Sequence, residues 1–193
     1  GNTGRVISSG DISAVGQDGV GGEVRMLGDQ VGLFGDATVN ASGSQGGGSV
    51  LIGGDFQGNN PDVQNAQRSI VSASVSIKAD ATEAGDGGKV IVWADETTWF
   101  YGDASAQGGI AAGDGGFVEV SGKQNLTFTG MVDTSATNGE TGTLLLDPLD
   151  LYLGTDPFPG FPGIPPEASF PSFAASYTTN DYYVDSASLT GDN

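Results

Sequence analysis

Short runs in which apolar and polar residues alternate recur along this chain, and most of them follow a pair of glycines. The pattern reads Gly21-Gly22-Glu23-Val24-Arg25-Met26, then Gly47-Gly48-Ser49-Val50-Leu51-Ile52. It returns as Gly87-Gly88-Lys89-Val90-Ile91-Val92 and Gly115-Gly116-Phe117-Val118-Glu119-Val120, with a degenerate fifth copy, Thr141-Gly142-Thr143-Leu144-Leu145-Leu146. The anchor glycines at 22, 48, 88, 116 and 142 lie 26, 40, 28 and 26 residues apart. Alternation with period two marks a strand with one buried face, and a fixed period of this length marks a repeat architecture.

Each repeat carries two further strand signals. One is a Gly-Asp-led run, as in Gly35-Asp36-Ala37-Thr38-Val39-Asn40 and Gly102-Asp103-Ala104-Ser105-Ala106; Ser72-Ala73-Ser74-Val75-Ser76-Ile77 is a variant. The other comprises Val31-Gly32-Leu33-Phe34, Thr98-Trp99-Phe100-Tyr101 and Leu126-Thr127-Phe128. Turns rich in Gly, Asp, Asn and Ser separate them, and no segment has the i, i+3, i+4, i+7 stripe of a long helix. The expectation is an all-β, right-handed parallel β-helix of about five coils of 26–28 residues, with about three strands each.

The 40-residue interval holds about 12 residues more than a coil needs, placed at 55–68 (DFQGNNPDVQNAQR). Such an insertion maps to a loop on one face of the solenoid, either a binding loop or a tolerated excursion, with a helical turn at 61–67. Residues 1–150 form the coils. Residues 151–193 break the pattern: Pro157, Pro159, Pro162, Pro165, Pro166 and Pro171 crowd together. Proline cannot donate to a ladder, so this segment reads as an extended strap and terminal strand. Its Phe158, Phe161 and Phe170 are candidate interaction residues.

Composition narrows the chemistry. Thirty-four glycines without a three-residue period exclude collagen. No cysteine or histidine is present, which removes thiol nucleophiles and the commonest general base and metal ligand. Six Lys+Arg against 24 Asp+Glu give a net charge of −18, a surface that repels nucleic acid and anionic lipid and attracts calcium or cationic partners. No apolar run is long enough for a membrane span.

The carboxylates are the candidates for catalysis and for metal binding. Asp95 and Glu96 are sequence neighbours, so in a strand they point to opposite sides, and Asp103 lies one strand later. No third group is placed to tune them, and the chain reads as a protein without enzymatic activity. Asp86 and Asp114 occupy the same turn of adjacent coils. Stacked about 4.8 Å apart they repel unless solvated or bridged, and they are the candidate calcium ligands. Trp99 and Tyr101 share one strand face, with Phe100 on the other. They form either a sugar-stacking platform or a patch covered by the strap.

The ordered series Gly46-Gly-Gly-Ser-Val-Leu-Ile-Gly-Gly-Asp55, Asp86-Gly-Gly-Lys-Val-Ile-Val-Trp-Ala-Asp95 and Thr98-Trp-Phe-Tyr-Gly102 resembles the filamentous-haemagglutinin-type secreted exoproteins of the two-partner secretion family, with cyanobacterial-like β-helix repeats. It continues through Gly113-Asp-Gly-Gly-Phe-Val-Glu-Val-Ser-Gly122, Val132-Asp-Thr-Ser-Ala136 and Gly142-Thr-Leu-Leu-Leu-Asp-Pro148, over roughly residues 10–150. The resemblance implies export through an outer-membrane pore. It also implies a structural or adhesive role at the cell surface, in adhesion, aggregation or biofilm. The secretion domain typical of that family is not evident in the sequence, which places the chain in the stalk beyond it. The implied partners are the secretion pore and then cell-surface glycans, proteins or other copies of the chain. Open ladder edges raise an alternative, a filament subunit joined end to end, and a polysaccharide-active enzyme is a further one.

Overall fold

A computed structural model describes residues 4–152 and shows a β-solenoid of three parallel sheets wound around one core. Face 1 stacks β1 (Arg5–Ser8), β4 (Gln30–Leu33), β7 (Arg68–Val71), β10 (Thr97–Phe100), β13 (Asn125–Phe128) and β16 (Asp150–Tyr152). Face 2 stacks β2 (Ile12–Ser13), β5 (Thr38–Asn40), β8 (Ser76–Lys78), β11 (Asp103–Ser105) and β14 (Met131–Asp133). Face 3 stacks β3 (Glu23–Met26), β6 (Ser49–Ile52), β9 (Lys89–Ala94), β12 (Phe117–Gly122) and β15 (Thr143–Leu145). The chain visits faces 1, 2 and 3 in turn, so every strand pairs with the strand one coil away. The Pro- and Phe-rich segment, with Phe158, Phe161 and Phe170, lies outside the described residues.

The register follows the glycine anchors. On face 3 the partners run Val24↔Val50↔Val90↔Val118↔Leu144, all pointing inward. Face 2 contributes Ile12↔Val39↔Ile77↔Ala104↔Val132, and face 1 ends in Leu33↔Val71↔Phe100↔Phe128. Phe100 and Phe128 stack with centroids 5.3 Å apart and planes 10° from parallel. Each such fully buried side chain contributes about 1.5–3 kcal/mol of burial. The ion pairs found among the described residues, Arg25–Glu23, Arg68–Glu96 and Lys89–Asp55, each have at least one substantially exposed partner. They are worth about 0–1 kcal/mol each, so the stacked core dominates stability.

Small residues at the corner where face 2 leads into face 3 have a steric cause. A Cβ on Gly88 would lie 2.7 Å from the Gly47 carbonyl carbon and 2.8 Å from the Gly48 amide nitrogen, both backbone atoms of the coil before. Gly48 meets Gly21 and Gly22 in the same way, Gly116 meets Gly87 and Gly88, and Gly142 meets Gly115 and Gly116. The first glycine of each pair sits against the carbonyl of Ala41, Ala79, Ala106 or Thr134, where the chain leaves face 2. Backbone therefore packs on backbone here.

Polar groups at the other corner are satisfied from inside. Ser69 and Thr98 take ladder positions otherwise filled by Val31 and Leu126. The Ser69 hydroxyl donates to the Trp93 carbonyl at 2.6 Å, and the Thr98 hydroxyl to the Ser121 carbonyl at 2.8 Å. Both carbonyls lie near the ends of the six-residue strands β9 and β12, and a buried carbonyl left without a donor would cost about 1–3 kcal/mol.

Gly88→Ala is expected to lower unfolding free energy by about 2–3 kcal/mol, the cost of forcing a methyl against backbone. Gly19→Ala, where an added Cβ meets nothing within 4 Å, should change it by less than about 0.5 kcal/mol. Denaturant melts of the two variants distinguish steric need from glycine-rich composition.

Candidate functional site

The insertion occupies residues 53–67, between β6 and β7, where the preceding coil turns through residues 27–29. Arg68, placed in the loop by sequence, begins β7. The expected helical turn at 61–67 is absent. One turn of 3-10 helix forms at Phe56–Gly58 instead, because the Asp55 carboxylate accepts the Phe56 N–H at 2.8 Å and caps it.

The insertion folds back over the outer surface of face 3. Phe56 meets Phe117 edge-on at 5.7 Å between centroids. Gly58, at φ +61, lies so close over the Trp93 indole that a Cβ there would sit 2.6 Å from ring atoms. Asn65 donates to the Gly58 carbonyl at 2.9 Å and to the Asp95 carboxylate at 3.1 Å, which also accepts the Trp93 indole N–H. Beneath this cover Leu51, Ile91 and Trp93 form a second apolar cluster, although their ladder positions point away from the core.

Charged groups line the same contact. Asp55 pairs with the Lys89 ammonium at 3.1 Å and accepts from Asn60 at 2.8 Å. Burial works to raise its pKa, but the Asn60, Phe56 and Lys89 donors outweigh that and hold it at about 2. Glu119, in the middle of β12, is 0 % exposed. Both of its oxygens accept the Gln57 backbone N–H, at 3.2 and 3.1 Å, and the Ser121 side chain bonds to it as well. Burial pushes the Glu119 carboxyl above its ordinary range and the Asp147 and Asp55 charges add to this, against the Gln57 and Ser121 hydrogen bonds. The Gln57 side chain reaches on to the Asp147 carboxylate at 3.1 Å. Beside it, Gln57, Asn59, Trp93, Lys123, Asp147 and Leu149 line an open cleft of about 400 Å³.

The residues singled out by sequence fall elsewhere. Asp86 and Asp114 do stack on one corner, where each carboxylate accepts the backbone N–H of the next coil: Asp114 N–H to Asp86 Oδ1, and Glu140 N–H to Asp114 Oδ1, both 2.8 Å. They border an open groove of about 650 Å³ floored by the glycine pairs. No group of three or more acidic side chains converges as a metal cage among the described residues. Asp95 and Glu96 are not brought together as a pair: Asp95 holds Trp93 and Asn65, Glu96 pairs with Arg68 at 3.2 Å, and Asp103 lies on face 2. Phe100 enters the core, whereas Trp99 is buried with Phe34 and Ile70 and has Tyr101 packed against this cluster. Trp99, at 6 % exposure, therefore offers no open stacking surface.

Glu119, Gln57 and Asp147 were not foreseen from the sequence. The signal lay in β6 and β9, where Ser-Val-Leu-Ile and Lys-Val-Ile-Val-Trp-Ala abandon alternation for continuous apolar runs. Such runs mark strands covered on both faces.

Asp55→Ala is expected to loosen the insertion by about 1–2 kcal/mol, mostly through the lost Asn60 and Phe56 hydrogen bonds, since half-exposed Lys89 adds little. The Asp55 contribution is present above its ordinary value of 3.8 and disappears as pH falls through about 2. Acrylamide quenching of tryptophan fluorescence, which rises if Trp93 is uncovered, reads both effects.

No family model matches the chain, and no curated protein does. Among solved structures it is similar to the HMW1 secretion domain from Haemophilus influenzae, with 32 % sequence identity and a TM-score of 0.60 over 75 % of this chain. The chain spans 37 % of the length of that structure. The sequence places the chain in a stalk beyond a secretion domain, whereas this solved neighbour is itself a secretion domain. The protein is thus a β-solenoid similar in sequence and in fold to part of a bacterial secretion domain.

Proposed function

We propose that this chain is a module of an exported surface protein, a stiff β-solenoid that serves adhesion, aggregation or biofilm and carries out no catalysis. The observation that carries this reading is the 32 % identity to a secretion domain at a TM-score of 0.60. Physical features agree with it. Each coil rests on the one before, so the stack can grow as chain emerges from a pore, without long-range closure. No helix among the described residues is long and apolar enough to cross a membrane. Of the candidate carboxylates, Asp95 is engaged in hydrogen bonds, Glu96 in an ion pair, and Asp103 lies on a different face. Extracellular location, a partner pore in the outer membrane and contact with cell-surface glycans or proteins belong to this proposal. So does calcium as a bridge between Asp86 and Asp114, whose carboxylates already tie one coil to the next.

The test is an in-frame deletion of residues 4–152 from the full-length protein, expressed with its outer-membrane pore. Protease accessibility on whole cells reads export, and cell aggregation reads function. Intact protein should reach the surface and promote aggregation, and the deletion should reach it without doing so. Loss of export would make the segment part of the secretion machinery instead. Unchanged export and aggregation would sink the proposal.

A further inference from the structure

We propose that the insertion, residues 53–67, is a pH-controlled lid on the outer surface of face 3, closed when Glu119 is protonated and loosened when Glu119 is ionised.

The geometry of the contact supports this. Glu119 is fully buried; the lid gives it one backbone N–H shared between two oxygens, and the Ser121 side chain supplies one further hydrogen bond. A buried ionised carboxylate is tolerated when several donors or a cation compensate it. The ion pairs found among the described residues do not involve Glu119. The charged groups around the lid contact come from five segments. The lid supplies Asp55, which is taken up by Lys89 of β9. The turn after β9 supplies Asp95, which holds Asn65 and Trp93. The turn after β12 supplies Lys123, lining the cleft with Asp147, and the segment after β15 supplies Asp147 itself. Asp55 and Asp147 both act to disfavour the ionised form. Protonation removes that repulsion and turns Glu119 into an O–H donor among carboxylates, while its other oxygen still accepts the Gln57 N–H.

The lid also carries local costs that leave it poised. Gln57 adopts φ 52, a left-handed conformation that costs a non-glycine residue about 1 kcal/mol or more. Asn65 Oδ1 is buried without a protein partner. Opening relieves both and uncovers Leu51, Ile91 and Trp93.

The direction follows from linkage. Because the closed lid raises the Glu119 pKa above its ordinary 4.5, closure is favoured at low pH and weakens as pH rises through the raised value. The Asp55–Lys89 contact survives acidification down to about 2, so it does not undo the tightening above that.

Amide hydrogen exchange on the folded protein, from about pH 3 to about pH 8 and corrected for intrinsic rates, tests this. Protection of the amides of Gln57, Gly58, Asn59 and Ala66 should fall as pH rises, about tenfold for each unit by which the pKa of Glu119 is raised, while β9 and β12 stay protected. Glu119→Gln, which keeps the shape of the protonated acid, should hold the lid closed with no step across the range. Asp147→Asn should move the step to lower pH, and it decides the matter alone if the first variant does not fold. A flat wild-type profile, a step that survives Glu119→Gln, or one that Asp147→Asn leaves in place would overturn the proposal.

Discussion

Backbone-to-backbone contact at one corner of the coil is the constraint on which the remaining structure depends. Parallel strands of successive coils lie about 4.8 Å apart, and a corner that turns within that step leaves no room for a Cβ between layers. The glycine pairs at 47–48, 87–88 and 115–116 meet the pair below directly, and each leads into a strand of face 3 whose second residue points into the core. With the corner fixed, valines fall on valines. A side chain there would press on the backbone of the adjacent coil and strain the stacking at that corner, which is why so much glycine is compatible with so ordered a core.

The same repetition creates a difficulty on the outer surface of face 3, where Leu51 and Ile91 point away from the core. Left open, they would form an apolar strip. The insertion resolves this by bringing its own small interface, built of Phe56 against Phe117 and Gly58 against Trp93, with the Asp55–Lys89 pair beside them. What it cannot make apolar is Glu119, which stays buried beneath Gln57, held by the Gln57 N–H and the Ser121 side chain and without a cation partner among the described residues. A surface excursion in length is thus, in energetic terms, part of a second core.

Sequence alone revealed the solenoid because its information is periodic. The anchor spacing of 26, 40, 28 and 26 reappears as the register Glu23↔Ser49↔Lys89↔Phe117↔Thr143. It also separated Phe100 from Trp99, since alternation assigns neighbours to opposite sides. The site was not legible, because it depends on where a non-repeating loop lands. Nothing periodic tells that Gln57 meets Glu119, 62 positions later. One expectation failed for a local reason: the helical turn moved from 61–67 to Phe56–Gly58, where Asp55 supplies a cap.

The insertion leaves the stack after β6 and does not stay over its own coil. It touches Lys89 and Trp93 on β9, Phe117 and Glu119 on β12, and Asp147 just beyond β15. A repeat protein ordinarily unravels from its ends one unit at a time, because each unit knows only its neighbours. Here, while the insertion is closed, a single loop runs lengthwise like a splint across four coils, so that these coils open together rather than one at a time.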